Sequence, residues 1–150
     1  MLFEYPALKV AQWRASLGGA PAYAYQFAFD SSFNVLKNAL MLNYEDGSAH
    51  AEDLTFLFRT NSMLQDDQKS FPPLNRDDLM KHWLTTFVVN FMQCSHPVCD
   101  NQSAWPAADA QQLNYQLLTE PVFINNNVPL SEDQRDMMLF HDNLYQSAGQ

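Results

Sequence analysis

The stretch PAYAYQFAFD, residues 21–30, decides the fold class of this chain. Aromatic residues from Tyr23 to Phe29 alternate with small or polar ones, which is the two-residue period of a β-strand. Neither face carries a charge, so we expect the strand to be buried on both sides. Strands of that kind belong to sheets that are covered by helices, and a face rich in alanine suits a helix packed close against it. The stretch therefore predicts an α/β fold.

Helical patterns occur on both sides of this strand. Apolar residues at helical spacing, together with capping residues, predict four helices over 3–17, 51–58, 75–96 and 131–145. We interpret 30–49 as a loop with some local order, 59–74 as a polar linker, and 100–130 as loop-like apart from a candidate short strand at 113–117. Several helices around one strong strand are consistent with the α/β class.

The predicted strand has no equally strong partner elsewhere in the sequence. Its backbone N–H and C=O groups need hydrogen bonds from neighbouring strands, because buried polar groups without partners are costly. The candidate strand at 113–117 has a much weaker pattern. We therefore interpret residues 1–150 as an incomplete portion of a larger sheet-containing domain.

Charge and composition exclude two classes of partner. The chain has 8 Lys and Arg residues against 17 Asp and Glu residues, which gives a formal net charge of −9. A protein this acidic lacks the positive surface that binding to nucleic acids or anionic membranes requires, so we expect neither as a partner. No apolar run approaches the roughly 18 residues of a membrane-spanning helix, and we expect no signal peptide at residues 1–6. These features leave secretion undecided.

One histidine follows a predicted tight turn. Asp46 and Gly47 predict that turn, and His50 comes directly after it, beyond the predicted strand. The α/β hydrolases place a general base on a loop of this kind, after the nucleophile and the acid in chain order. Spacing alone fits equally an exposed or hydrogen-bonded loop histidine with no catalytic role. His50 is the candidate catalytic residue, and at this point both interpretations stay open.

A longer motif around His50 resembles a known family. Residues 23–27 read YAYQF and residues 47–58 read GSAHAEDLTFLF. In this order they are similar to the C-terminal region of the type-B carboxylesterases, the carboxylesterase/cholinesterase family, and most similar to its insect esterases. Further matches follow in the same order: Trp83 with Phe87, His96 with Pro97, Trp105 with Pro106, and Arg135, Phe140, Asp142 and Leu144 in the last predicted helix. The resemblance covers essentially the whole chain.

The resemblance implies an α/β-hydrolase fold and a serine hydrolase that cleaves small-molecule carboxylic esters. His50 matches the histidine of the catalytic triad, which takes the proton of the serine hydroxyl and passes it to the leaving alcohol. Glu52 and Asp53 match acidic positions of the family motif, and we interpret them as carboxylates favoured by the helix dipole rather than as the triad acid. Residues 1–150 would then be the C-terminal portion of a carboxylesterase-type domain.

The sequence also departs from the family pattern. Its only glycines are Gly18, Gly19, Gly47 and Gly149, so it contains no Gly-x-Ser-x-Gly nucleophile motif and no glycine-rich oxyanion segment. The triad acid has no match either, and we therefore expect the chain alone to be inactive. Two alternatives remain: a non-catalytic cholinesterase-like protein of interaction or adhesion, and a half-enzyme that assembles with a separate chain carrying the nucleophile.

The two cysteines allow two interpretations. Cys94 and Cys99 could close one small loop, and with His96 they form Cys-x-His-x-x-Cys, which could supply three ligands to zinc. Structural zinc sites use four ligands at recognised spacings, so a loop beside a helix end is the better interpretation. We assign no metal and no cofactor to this sequence.

Overall fold

The computed structural model of the protein describes residues 3–42, 44–58, 75–100, 104–111, 113–121 and 127–148. In chain order these residues form α1 (Glu4–Ser16), β1 (Tyr25–Phe27), α2 (Val35–Ala39), α3 (Glu52–Leu57), α4 (Arg76–Cys94), β2 (Asn114–Leu118), β3 (Asn127–Pro129) and α5 (Glu132–Ala148). The four predicted helices are confirmed as α1, α3, α4 and α5. The predicted linker over 59–74 lies outside the described residues. Within the described ranges, no helix combines the length and the apolar character needed to cross a membrane.

The strands form one mixed sheet in the order β1-β2-β3. The backbone N–H of Gln116 donates to the carbonyl of Ala24, and that of Ala28 donates to the carbonyl of Leu118, each at 2.9 Å. These bonds advance along both strands in the same direction, so β1 and β2 are parallel, whereas β2 and β3 pair antiparallel. The candidate strand at 113–117 is confirmed as β2, and it supplies the partner that the sequence did not clearly predict for β1.

The structure corrects the prediction that the first strand is buried on both sides. Ladder pairing extends over only three residues of it, and β1 is the outer strand in the sheet order. Tyr25 is 41% exposed, whereas Phe29, just beyond the strand, is fully buried. Alternation identifies the side chains that share a face, but a face is buried only where another element covers it. Among the described residues, that cover is incomplete for β1.

Two compact units divide the chain. We call Gln26–Trp105 with Leu117–Asn126 the central unit, and Met1–Tyr25 with Pro106–Gln116 and Asn127–Gln150 the terminal unit. The central unit contains α2, α3 and α4, and the terminal unit contains α1 and α5. Each unit brings together segments that are distant in sequence, so each depends on tertiary contacts.

Aromatic and aliphatic side chains form the core of the central unit. The ring of Phe29 packs against that of Phe56 in α3, with ring centres 5.7 Å apart and the planes nearly perpendicular. On α4, Met80 and Leu84 are almost fully buried, and Phe87 meets Trp105 edge to face at 5.1 Å. Perpendicular aromatic pairs are favourable beyond the area that they bury. Helices α3 and α4 also pack against each other in this unit.

The start of α4 is held by polar contacts that the sequence in part predicted. Asn75 caps the helix, and its side-chain oxygen accepts from the backbone N–H of Asp78 at 2.8 Å. The guanidinium of Arg76 donates to both carboxylate oxygens of Glu120, at 2.8 and 2.9 Å, and lies 5.1 Å from the centre of the Phe29 ring. The beginning of α4 therefore contacts both the core and the segment that follows β2.

The second half of α4 is less buried than its apolar stripe predicts. Phe91 is 48% exposed and Met92 is 71% exposed, although both continue the stripe that buries Leu84 and Phe87. The helical period continues to the end of α4, but the stripe is buried over its first half and partly exposed over its second.

Helices α1 and α5 hold the terminal unit together. The hydroxyl of Tyr5 donates to one carboxylate oxygen of Asp142 at 2.8 Å, and the ammonium of Lys9 donates to the other at 2.6 Å. The Tyr5 ring also stacks on His141, with ring centres 4.6 Å apart. The hydrogen bond from Lys9 lowers the pKa of Asp142, against the opposing effect of burial. Burial, reinforced by the hydrogen bond to Asp142, raises the pKa of Tyr5 to about 12.

The lowered pKa of Asp142 predicts a dependence of stability on pH. The folded chain holds Asp142 ionised to a lower pH than the unfolded chain does, so this stabilisation is present above the ordinary aspartate pKa and is lost as the pH falls through the folded value. Replacing Asp142→Asn should lower the urea midpoint of unfolding near pH 7 and change it little near pH 2. The control is Asp136→Asn, which makes the same replacement at an exposed aspartate of the same helix. Equal effects of Asp142→Asn at both pH values would contradict the assignment.

Candidate active-site loop

His50 lies on the loop between α2 and α3, within the central unit, and its side chain is exposed. We call residues 47–52 the histidine loop. Its backbone takes left-handed conformations at Gly47 (φ 86°) and at Ala51 (φ 66°). The first confirms the tight turn predicted at this glycine. The second costs an alanine about 1–2 kcal/mol, so contacts elsewhere in the loop must hold that conformation.

The upstream end of the histidine loop is anchored to α2 and β1. The carbonyl of Gly47 accepts from the ammonium of Lys37 at 2.8 Å and from the side-chain amide of Asn34 at 3.4 Å. Next to it, the hydroxyl of Ser48 donates to the carbonyl of Phe27 at 2.6 Å. That hydroxyl is therefore engaged with the backbone of β1.

The downstream end of the loop is anchored by a buried carboxylate. Glu52 is fully buried, and its Oε1 accepts from the backbone N–H of Lys37 at 2.7 Å. Asn34 occupies the N-cap position of α2 but makes no side-chain capping bond there. Glu52 therefore caps α2 from the following helix. The prediction that this carboxylate serves only the dipole of its own helix missed the contact.

Sequence reasoning also missed Lys37. This lysine is 4% exposed, and its ammonium forms an ion pair with Asp30 at 2.7 Å in addition to its bond with Gly47. It lies on α2, within the segment that the sequence predicted to be a loop. The sequence signal was weak, because Lys37 lies in FNVLKNALML (33–42), which mixes apolar residues with two asparagines. The partners that make its burial tolerable come from the turn before the helix and from the histidine loop.

An aromatic triangle connects the end of β1 to α3, the helix that follows the histidine loop. The rings of Phe27, Phe29 and Phe56 lie 5.1 to 6.3 Å apart, centre to centre. Phe27 ends β1, and Phe56 lies on α3, which follows the loop. The helix that follows His50 is thus packed against the end of β1.

The zinc interpretation of the cysteine motif is not supported. Cys94 and Cys99 form a disulfide, so the two thiolates that a metal would need are joined to each other. His96 is buried, and its Nδ1 accepts from the backbone N–H of Val98 at 2.9 Å. The motif closes a small loop at the end of α4, which is the first of the two interpretations of the sequence.

Together these contacts present an imidazole to solvent on a loop that is fixed at both ends. An imidazole so placed can accept and return a proton, provided that the reacting group is brought to it. The nearby carboxylate of Glu52 uses its Oε1 to accept from the backbone N–H of Lys37.

The helices and the mixed sheet form part of an α/β-hydrolase fold. The crystal structure of juvenile hormone esterase from Manduca sexta, with OTFP covalently attached, superposes with a TM-score of 0.82 and 44% sequence identity, over 96% of this chain and 26% of that one. Juvenile hormone esterase from Heliothis virescens is 38% identical over 143 residues, which are 93% of this chain and 24% of the relative.

The model of the carboxylesterase family matches residues 1–135. The chain therefore belongs to the carboxylesterase family, and the resemblance of its motifs to insect esterases is confirmed. It spans about a quarter of the length of the two juvenile hormone esterases.

Glu52 provides a test of how the loop is held. Replacing Glu52→Ala should lower the free energy of unfolding by about 1–3 kcal/mol, because it removes the cap of α2 and leaves the buried N–H of Lys37 without its acceptor. Replacing Glu52→Gln keeps an oxygen for that bond and should cost clearly less. Urea unfolding followed by circular dichroism measures both. Equal losses for the two variants would contradict the capping role.

Proposed function

We propose that this chain is the histidine-bearing portion of a carboxylic-ester hydrolase and that His50 is its general base. The observation that carries the proposal is an exposed histidine in the family's Gly-x-x-His motif, on a loop anchored at residues 47, 48 and 52. A general base must be accessible to substrate yet held in place, and an anchored loop with an exposed imidazole supports both requirements.

In the proposed reaction, His50 takes a proton from a nucleophilic serine. These 150 residues contain no nucleophile motif to supply that serine. The imidazole removes the proton of the serine hydroxyl as that oxygen attacks the ester carbonyl, and it then donates the proton to the departing alcohol. In the second half, it activates water against the acyl-enzyme in the same way. We propose that the chain alone is inactive, since the four glycines of the sequence form no Gly-x-Ser-x-Gly.

We also propose that the triad acid lies outside this chain. Glu52 is the nearest buried carboxylate in sequence to His50, and its Oε1 caps α2 by accepting from the backbone N–H of Lys37. The substrate class that we propose is small-molecule carboxylic esters. Both relatives are named as juvenile hormone esterases, so the hormone is the first natural ester to assay after a simple aryl ester.

A chimera tests the role of His50. Residues 1–150 replace the aligned quarter of the Manduca sexta enzyme, and hydrolysis of an aryl ester is measured for the chimera, for the parent enzyme and for the 150-residue chain alone. We expect the chimera to be active and the chain alone to be inactive. The replacement His50→Ala should lower kcat of the chimera by about 10⁴-fold, the scale of losing a triad member.

The matched control is His82→Ala, which removes an exposed histidine of α4 and should leave kcat unchanged. Hydrolysis by the isolated chain that His50→Ala abolishes would overturn the proposal that the nucleophile lies elsewhere. A chimera that unfolds cooperatively like its parent yet shows no turnover would overturn the hydrolase proposal and favour the non-catalytic, cholinesterase-like alternative.

A further inference from the structure

Lys37 contacts both ends of the histidine loop. Its ammonium donates to the carbonyl of Gly47, three residues before His50, and its backbone N–H donates to Glu52, two residues after it. We propose that Lys37 is a positioning residue, which fixes the histidine loop and thereby the place of the His50 imidazole. We call these two hydrogen bonds from Lys37 to the histidine loop the clamp. Only its expected effect on catalysis rests on the proposed function.

The upstream contact depends on the lysine side chain. The bond from Nζ to Gly47 is short, at 2.8 Å, whereas the second donor to that carbonyl, the amide of Asn34, lies at 3.4 Å. Bonds from charged donors are stronger than those from neutral ones. The lysine therefore makes the principal hydrogen bond to residue 47, and the amide supplements it.

The downstream contact depends on where the α2 helix places the backbone of Lys37. Its N–H lies in the first turn of the helix, where N–H groups have no partner within the helix, and the buried carboxylate of Glu52 accepts from it at 2.7 Å. This bond connects the helix to the first residue of α3. One residue thus connects the two flanks of His50 through two chemically different donors.

The burial of Lys37 makes the clamp rigid. A lysine that is 4% exposed has lost the freedom of its four-carbon stem, and Asp30 balances its charge at 2.7 Å. Movement of the loop away from α2 would leave a buried ammonium with one acceptor fewer, which is costly. The loop therefore keeps one arrangement, and the exposed imidazole is presented from a fixed base.

The replacement Lys37→Met tests the inference, because it keeps the length of the stem and removes the ammonium. In the 150-residue chain, hydrogen exchange measured by mass spectrometry should become faster in residues 47–52. In the chimera, kcat for the aryl ester should fall by about 10²-fold, the scale of misplacing a catalytic group by an ångström, with KM little changed. Lys37→Arg restores a cation with several donors and should recover part of kcat.

The matched control is Asn38→Ala, on the same helix. It removes one side-chain bond, from Asn38 to the carbonyl of Ser32 at 2.8 Å, and leaves the histidine loop untouched. Unchanged exchange over 47–52 in Lys37→Met would overturn the clamp. A kcat that falls equally in Lys37→Met and Asn38→Ala would overturn the positioning role. The proposed function fails separately, if His50→Ala leaves the chimera active while Lys37→Met still speeds exchange in the loop.

Discussion

A single buried ammonium organises the part of the central unit that surrounds His50. Lys37 is only 4% exposed, and a buried charge without partners is strongly unfavourable. Its acceptors, Asp30 and the carbonyl of Gly47, must therefore remain where they are for the core to close. The turn after β1, the short helix α2 and the start of α3 all meet at Lys37. The ion pair and hydrogen bonds of this lysine therefore determine how the three segments are arranged.

The sequence predicted well those elements whose signals are local. Alternating aromatics located β1, helical spacing located α1 and α4, and the Ser131 to Gln134 pattern located the start of α5, where the two residues exchange capping bonds. It failed for α2, which has five residues and no complete apolar period. That helix is capped by Glu52, 15 residues further along the chain, and no local pattern contains such a contact.

Burial was harder to predict than secondary structure. The aromatic strand and the stripe of α4 both have apolar faces, yet Tyr25 is 41% exposed and Phe91 is 48% exposed. The candidate site shows the same division. His50 could be proposed as a general base because it lies within a short motif, whereas the contacts of Lys37 come from three segments that meet only in the folded chain. A motif points to a candidate residue, and the tertiary structure shows what holds the loop that carries it.

The parallel pairing of β1 with β2 has a consequence for the order of folding. Ala28 and Leu118 share a hydrogen bond although they lie about 90 residues apart along the chain, with α2, α3 and α4 between them. Closing so long a loop costs chain entropy before the ladder forms, and contacts of large sequence separation slow folding. The helices between the strands form from nearer contacts. The strand with the strongest signal in the sequence should therefore be among the last elements to acquire its hydrogen bonds.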